Sequence, residues 1–101
     1  MPDSTTVTHC VLLWARPGQE AALASYEDRV LTLMADHDGR ILQRGTIADG
    51  GAEAPTEVQI LEFGSAAAVD SYMTDPRRTA MAAERDAAIA RTDVHRIRLN
   101  S

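Results

Sequence analysis

His9 lies in the run 7–14 (VTHCVLLW), flanked by apolar residues. An imidazole there can carry a proton near neutral pH as a general acid or base, or be a buried ring hydrogen-bonded to a neighbour. Arg44 falls inside the largely apolar stretch 40–47 (RILQRGTI). A guanidinium in such a place is costly unless it meets a carboxylate such as Glu57 or Glu62, or a ligand anion such as an enolate or phenolate that suits its fixed donor fork. Arg85 shares a helical stripe with Met81, Ala88 and Ile89. It could border the same space as Arg44, or lay its stem on the sheet and its head in water. Trp14, Tyr26, Phe63 and Tyr72 are the aromatic residues. Trp14 and Tyr72 could shape a pocket for a flat ligand, although core packing accounts for the same spacing.

Other reactive residues point elsewhere. Cys10 projects opposite to His9 in an extended chain and forms no dyad with it locally, so it reads as core. His95, on the last strand, is expected near Trp14 and about 10 Å or more from His9. His37, between Asp36 and Asp38, suits a helix C-terminus. No spacing matches a zinc or haem site, and Gly50-Gly51 lacks the strand-to-helix setting of a phosphate loop. No metal and no cofactor are expected.

The net charge of −5 and the absence of a concentrated basic face oppose nucleic acid as a partner. No apolar run approaches the ~20 residues of a membrane helix. With one cysteine and no signal-like N-terminus, the expected compartment is the cytoplasm.

These residues must be positioned by a short series of elements. The 101 residues suffice for one domain, 1–101, with 1–6 as a tail. Residues 7–14 read as a first strand, apolar on both faces. Leu23, Tyr26, Val30, Leu31 and Met34 recur at helical spacing over 19–36, with Glu20, Glu27, Asp28 and Arg29 largely on the other faces. Residues 40–47 and 57–63 form a hairpin around the loop 49–55, and Ser65 caps a helix interrupted at Asp75-Pro76, with a further helical run to about residue 90. Residues 94–99 close the sheet as an edge strand. This βαββαβ order gives an α+β, ferredoxin-like sandwich, a four-stranded antiparallel sheet with helices on one face. The bare face, with the two-sided first strand, points to a homodimer.

The segments 39–45 (GRILQRG) and 61–65 (LEFGS), with Ala68, Tyr72 and Pro76 beyond them, resemble an uncharacterised short family of the dimeric α/β-barrel superfamily. The resemblance covers nearly the whole chain. The superfamily includes antibiotic-biosynthesis monooxygenases, muconolactone-isomerase-like enzymes, haem-degrading enzymes and members without known activity. The chain departs from the pattern at Gly64, where a proline is expected, and at Arg77-Arg78, where the family often has an aromatic. The resemblance implies a dimeric, cofactor-independent enzyme, monooxygenase- or isomerase-like, acting on a small hydrophobic or aromatic metabolite. His9 would then be the acid or base, Arg44 and Arg85 would stabilise an anion, and Tyr72 and Trp14 would shape the cavity. The alternative is a noncatalytic dimeric ligand carrier or interaction module. The two are separated by whether His9 and Arg44 face a common cavity, which depends on strand register.

Overall fold

The computed structural model describes residues 5–100, so residues 1–4 of the expected tail lie outside it. β1 (Val7–Ala15) leads through a turn at Gly18 into α1 (Glu20–Val30), which tightens into a 3-10 segment, Leu31–His37. β2 (Gly39–Thr46) and β3 (Glu57–Phe63) form the hairpin, and α2 (Ala66–Met73), α3 (Pro76–Thr79) and α4 (Ala82–Ala88) return the chain to β4 (Ile89–Ile97). The strands lie in the order β2-β3-β1-β4, every neighbouring pair antiparallel. This is the ferredoxin-like α+β arrangement read from the sequence. Among the described residues no helix is long and apolar enough to cross a membrane.

Local chemistry explains the boundaries. The Ser65 hydroxyl accepts from the Ala68 amide at the start of α2, and the Asp75 carboxylate accepts from the Arg77 amide at the start of α3, where Pro76 supplies a preset φ. The 3-10 segment ends at Asp38, whose φ of 53° turns the chain sharply into β2. The face of the sheet covered by helices presents Val11 and Leu13 of β1 and Leu61 and Phe63 of β3 to Leu23, Tyr26 and Val30 of α1. Burying each such large apolar side chain contributes roughly 1.5–3 kcal/mol. The opposite face carries Cys10, Leu12, Val58 and Ile60, all half-buried within one chain.

Two irregularities set what faces inward. Ile41 pairs with Leu61 but Gln43 pairs with Ile60, so Leu42 is a bulge. Strict alternation from Ile41 would turn Gln43 towards the helices, whereas the extra residue turns Arg44 there, opposite Gln59. The second irregularity lies between Trp14 and Ala15, where β4 shifts register.

β4 begins earlier than the alternation of 94–99 indicated, because the chain passes from Ala88 directly into the strand and the Arg16 amide donates to the Ala88 carbonyl at 2.9 Å. The earlier start moves His95 opposite Cys10 and places Arg91 opposite Trp14. The expected neighbourhood of His95 and Trp14 is therefore corrected. His95 pairs one step from His9 but on the other face of the sheet.

Gly64, the first departure from the family pattern, lies against the Asp38 side chain. A Cβ there would overlap the Asp38 carboxylate, while the Gly64 amide donates to the Asp38 carbonyl at 2.9 Å. Gly64→Ala should lower unfolding stability by less than about 1 kcal/mol, since the exposed Asp38 carboxylate can swing into solvent. Combining it with Asp38→Gly, which removes the obstructing carboxylate and relieves the positive φ, should recover most of the loss in a denaturant double-mutant cycle.

Candidate functional site

A cavity of about 380 Å³ lies between the sheet and the helices. Its sheet wall comes from β1 (His9, Val11, Leu13), β3 (Gln59, Leu61, Phe63) and β4 (Thr92, Val94). Its helical wall includes Glu27 and Val30 of α1, Val69 and Tyr72 of α2, Arg78 of α3 and Arg85 of α4. Met73 and Val94 also line it and are 47% and 53% exposed, which puts the mouth between α2 and β4.

The aromatic wall is continuous. His9 meets the edge of Phe63 with ring centroids 6.0 Å apart, and Phe63 packs on Tyr72 at 5.6 Å. The Tyr72 hydroxyl donates to the Val30 carbonyl at 3.4 Å, and burial raises its pKa, so the phenol remains a neutral donor. His37, on the far side of Tyr72, pairs through Nδ1 with the Ser71 hydroxyl at 2.6 Å and through Nε2 with Asp75 at 2.7 Å. Arg77 also binds the Asp75 carboxylate, and with His37 holds it well below the usual carboxylate range. The acceptor is therefore ionised, and Nε2 of His37 carries the shared proton.

The polar end is a ladder of buried groups. The Gln59 amide donates to Glu27 at 2.8 Å and to Glu57 at 2.7 Å, and Glu57 accepts from Nε of Arg44 at 2.7 Å. Arg44 reaches on to Asp28 at 2.6 Å and to the Ala24 carbonyl at 3.3 Å. Glu27 ends the ladder at the cavity, and burial pushes its carboxyl pKa upward. His9 has its pKa lowered, first by burial and then by Arg96, its cross-strand partner. At neutral pH the ring is uncharged and poised to accept a proton rather than to give one.

Of the residues singled out by sequence, His9, Tyr72 and Arg85 share this cavity. Arg44 and Trp14 are outside its lining. Arg44 faces the same side of the sheet as His9, but its guanidinium is occupied by Glu57 and Asp28. Trp14 projects to the other face, where its indole donates to the Glu53 carbonyl at 3.0 Å and Arg91 stacks on its ring at 4.3 Å. Four polar lining residues, Glu27, Gln59, Arg78 and Thr92, escaped the sequence reading. Glu27, assigned to an outward face, is 6% exposed. Its spacing from Leu23, Val30 and Leu31 is the signal that places it on the apolar stripe. Arg78 follows Arg77 and carried no such mark. Among the described residues, no group of three or more His, Cys, Asp or Glu side chains could hold a metal ion.

The fold and this cavity define a ferredoxin-like α+β protein with a partly apolar internal site. Residues 13–96 match the family described as a domain of unknown function, DUF1330, and the chain belongs to that family. No curated protein matches it. RPA0582, a protein of unknown function from Rhodopseudomonas palustris, is 19% identical with a TM-score of 0.78, over 96% of this chain and 84% of its own. A dimeric ferredoxin-like protein of unknown function from Bacteroides fragilis is 21% identical with a TM-score of 0.71, over 93% and 96%. SnoaB, a cofactor-independent oxygenase from Streptomyces nogalater, is 15% identical with a TM-score of 0.70, over 96% and 97%. At these identities the likeness is one of fold.

Two measurements check the site's electrostatics. The His9 imidazole should titrate below 6.5 by NMR. Because the unfolded chain takes up that proton first, acidification through pH 6.5 should cost stability, a component absent from His9→Asn. Gln59→Leu leaves Glu27 and Glu57 without their shared donor and should destabilise the fold by about 1–3 kcal/mol in denaturant titration.

Proposed function

We propose that the chain acts as a homodimer that binds a small hydrophobic or aromatic metabolite in the cavity between sheet and helices. The observation that carries this reading is the cavity itself, apolar over most of its wall, with a few convergent polar groups including a neutral histidine. In a catalytic version, His9 is the general base, withdrawing a proton from a substrate held against Phe63 and Tyr72, and the chemistry is of the monooxygenase or isomerase type. The oxygenase SnoaB, built on the same fold without a cofactor, supports that version. The dimer is supported by the apolar sheet face of Leu12, Val58 and Ile60, and by the Bacteroides fragilis protein described as dimeric.

A specific observation favours the noncatalytic alternative, a ligand carrier. A catalytic imidazole is usually oriented by a hydrogen bond to its second nitrogen. Among the described residues, none of the side-chain hydrogen bonds around the cavity involves His9.

A thermal-shift screen of quinols, lactones and hydroxylated aromatics tests binding. A true ligand at ~100 times its Kd adds about 2.7 kcal/mol and raises Tm by several degrees. Turnover assays of the hits with His9→Asn then separate the two versions. Loss of turnover with retained binding supports the enzyme, unchanged turnover removes His9 from the chemistry, and binding without any turnover supports the carrier.

A further inference from the structure

The cavity wall formed by α3 and α4 contains a cation without a matching anion. Ion pairs among the described residues engage Arg29, Arg40, Arg44, Arg77, Arg85 and Arg91. Arg78 is in none of them, although it is half-buried and lines the cavity. Its Nε is buried and has no hydrogen-bond partner. The carbon at the centre of its guanidinium lies 5.1 Å from the centroid of the Tyr72 ring. A ring face offsets part of the cation's lost hydration, but it accepts none of the N–H groups lying in the guanidinium plane. Native structures rarely bury such a donor without an acceptor.

The guanidinium draws on the Tyr72 hydroxyl oxygen, opposing the burial that raises the phenol's pKa, but no neighbouring group reaches Nε. Arg85, on the same cavity, donates to the Thr92 hydroxyl at 3.0 Å, and its contact with the exposed Asp86 carboxylate is long, at 3.7 Å. Glu27 is the carboxyl in the lining, and its Oε1 already accepts from Gln59. Burial biases that carboxyl towards its neutral form. Two guanidiniums thus face one carboxyl group, and the cavity is electropositive at the end formed by α3 and α4.

We infer that the ligand of this cavity is a hydrophobic monocarboxylate, its carboxylate seated on Arg78 with Arg85 alongside and its apolar body against Leu61, Phe63 and Val69. The inference rests on the reading of the cavity as a binding site and narrows it to acids. A carboxylate offers two oxygens to the terminal N–H groups of the guanidinium, whereas a phenolate or enolate offers one and leaves a donor unmet.

The test is an amide-NMR titration of the full chain with 2-naphthoate and with its neutral counterpart, 2-naphthylmethanol. The acid should shift resonances of Leu61, Val69 and Thr92, and bind at least about tenfold more tightly than the alcohol, the scale of a charge-assisted hydrogen bond. Arg78→Gln should bring the acid down to the affinity of the alcohol while leaving the alcohol unchanged. Arg78→Lys should keep only part of the preference, since an ammonium retains the charge but not the fork. Equal affinities in the unmodified protein, or a full preference surviving in R78Q, would overturn the inference and leave the cavity as a site for neutral molecules. No shift with either probe would sink both the inference and the binding-site reading. If R78Q loses its dispersed spectrum, R78K decides alone, and an undiminished preference in it counts against the inference.

Discussion

The polar half of β3 is the constraint on which the rest of the structure turns. Along its inner face β3 presents Glu57, Gln59, Leu61 and Phe63, and all four are buried. Two can be met by packing alone, whereas the other two demand charged and hydrogen-bonding partners in a place that water does not reach. The bulge at Leu42 turns Arg44 inward, α1 supplies Glu27 and Asp28 on adjacent positions, and the Gln59 amide joins the carboxylates. The half-buried Arg44–Glu57 pair contributes little net stability, but leaving Glu57 buried without its partner would be costly. Slipping β3 by one residue would turn Val58 and Ile60 towards α1 and strand the polar groups on the other face. The ladder thus fixes the register, and the register decides which β1 residues, His9 among them, look into the cavity.

Much of this was legible in the sequence because the local and tertiary signals agree. Residues 57–63 keep one face buried at every second residue, Ser65 caps α2, and Asp75-Pro76 divides the helices, each where its chemistry indicated. What escaped was decided by irregularity or by tertiary placement. The Leu42 bulge leaves no mark in residue type, so whether Arg44 faced the helices was open. The start of β4 was hidden because Ile89 and Ala90 continue a helical pattern as readily as they begin a strand. Arg77 and Arg78 are indistinguishable by composition, yet successive residues on a helix point in different directions. Arg77 is exposed and joins Asp36 and Asp75, while Arg78 turns under Tyr72.

The two departures from the family pattern have structural explanations of different kinds. Gly64 belongs to the scaffold, lying against the side chain of the left-handed Asp38 and donating its amide to the Asp38 carbonyl. The Arg77-Arg78 pair belongs to the cavity, one member clasping the α2–α3 junction through Asp75 and the other entering the lining. Similarity of fold to an oxygenase speaks to the scaffold, and any function rests on the residues that this chain places in it.

The direct passage from Ala88 into β4 bears on kinetics. With no connecting loop, and with Arg85 and Thr92 joined across the junction, that side of the cavity has no slack to open. On the opposite side the junction of α2 and α3 is tied to the 3-10 segment by His37 on the Asp75 carboxylate, and Arg77 spans from Asp75 to Asp36. Opening motions of the fold are then concentrated on the α2–α3 side, where one carboxylate carries the ties that the β4 side spreads over a continuous backbone.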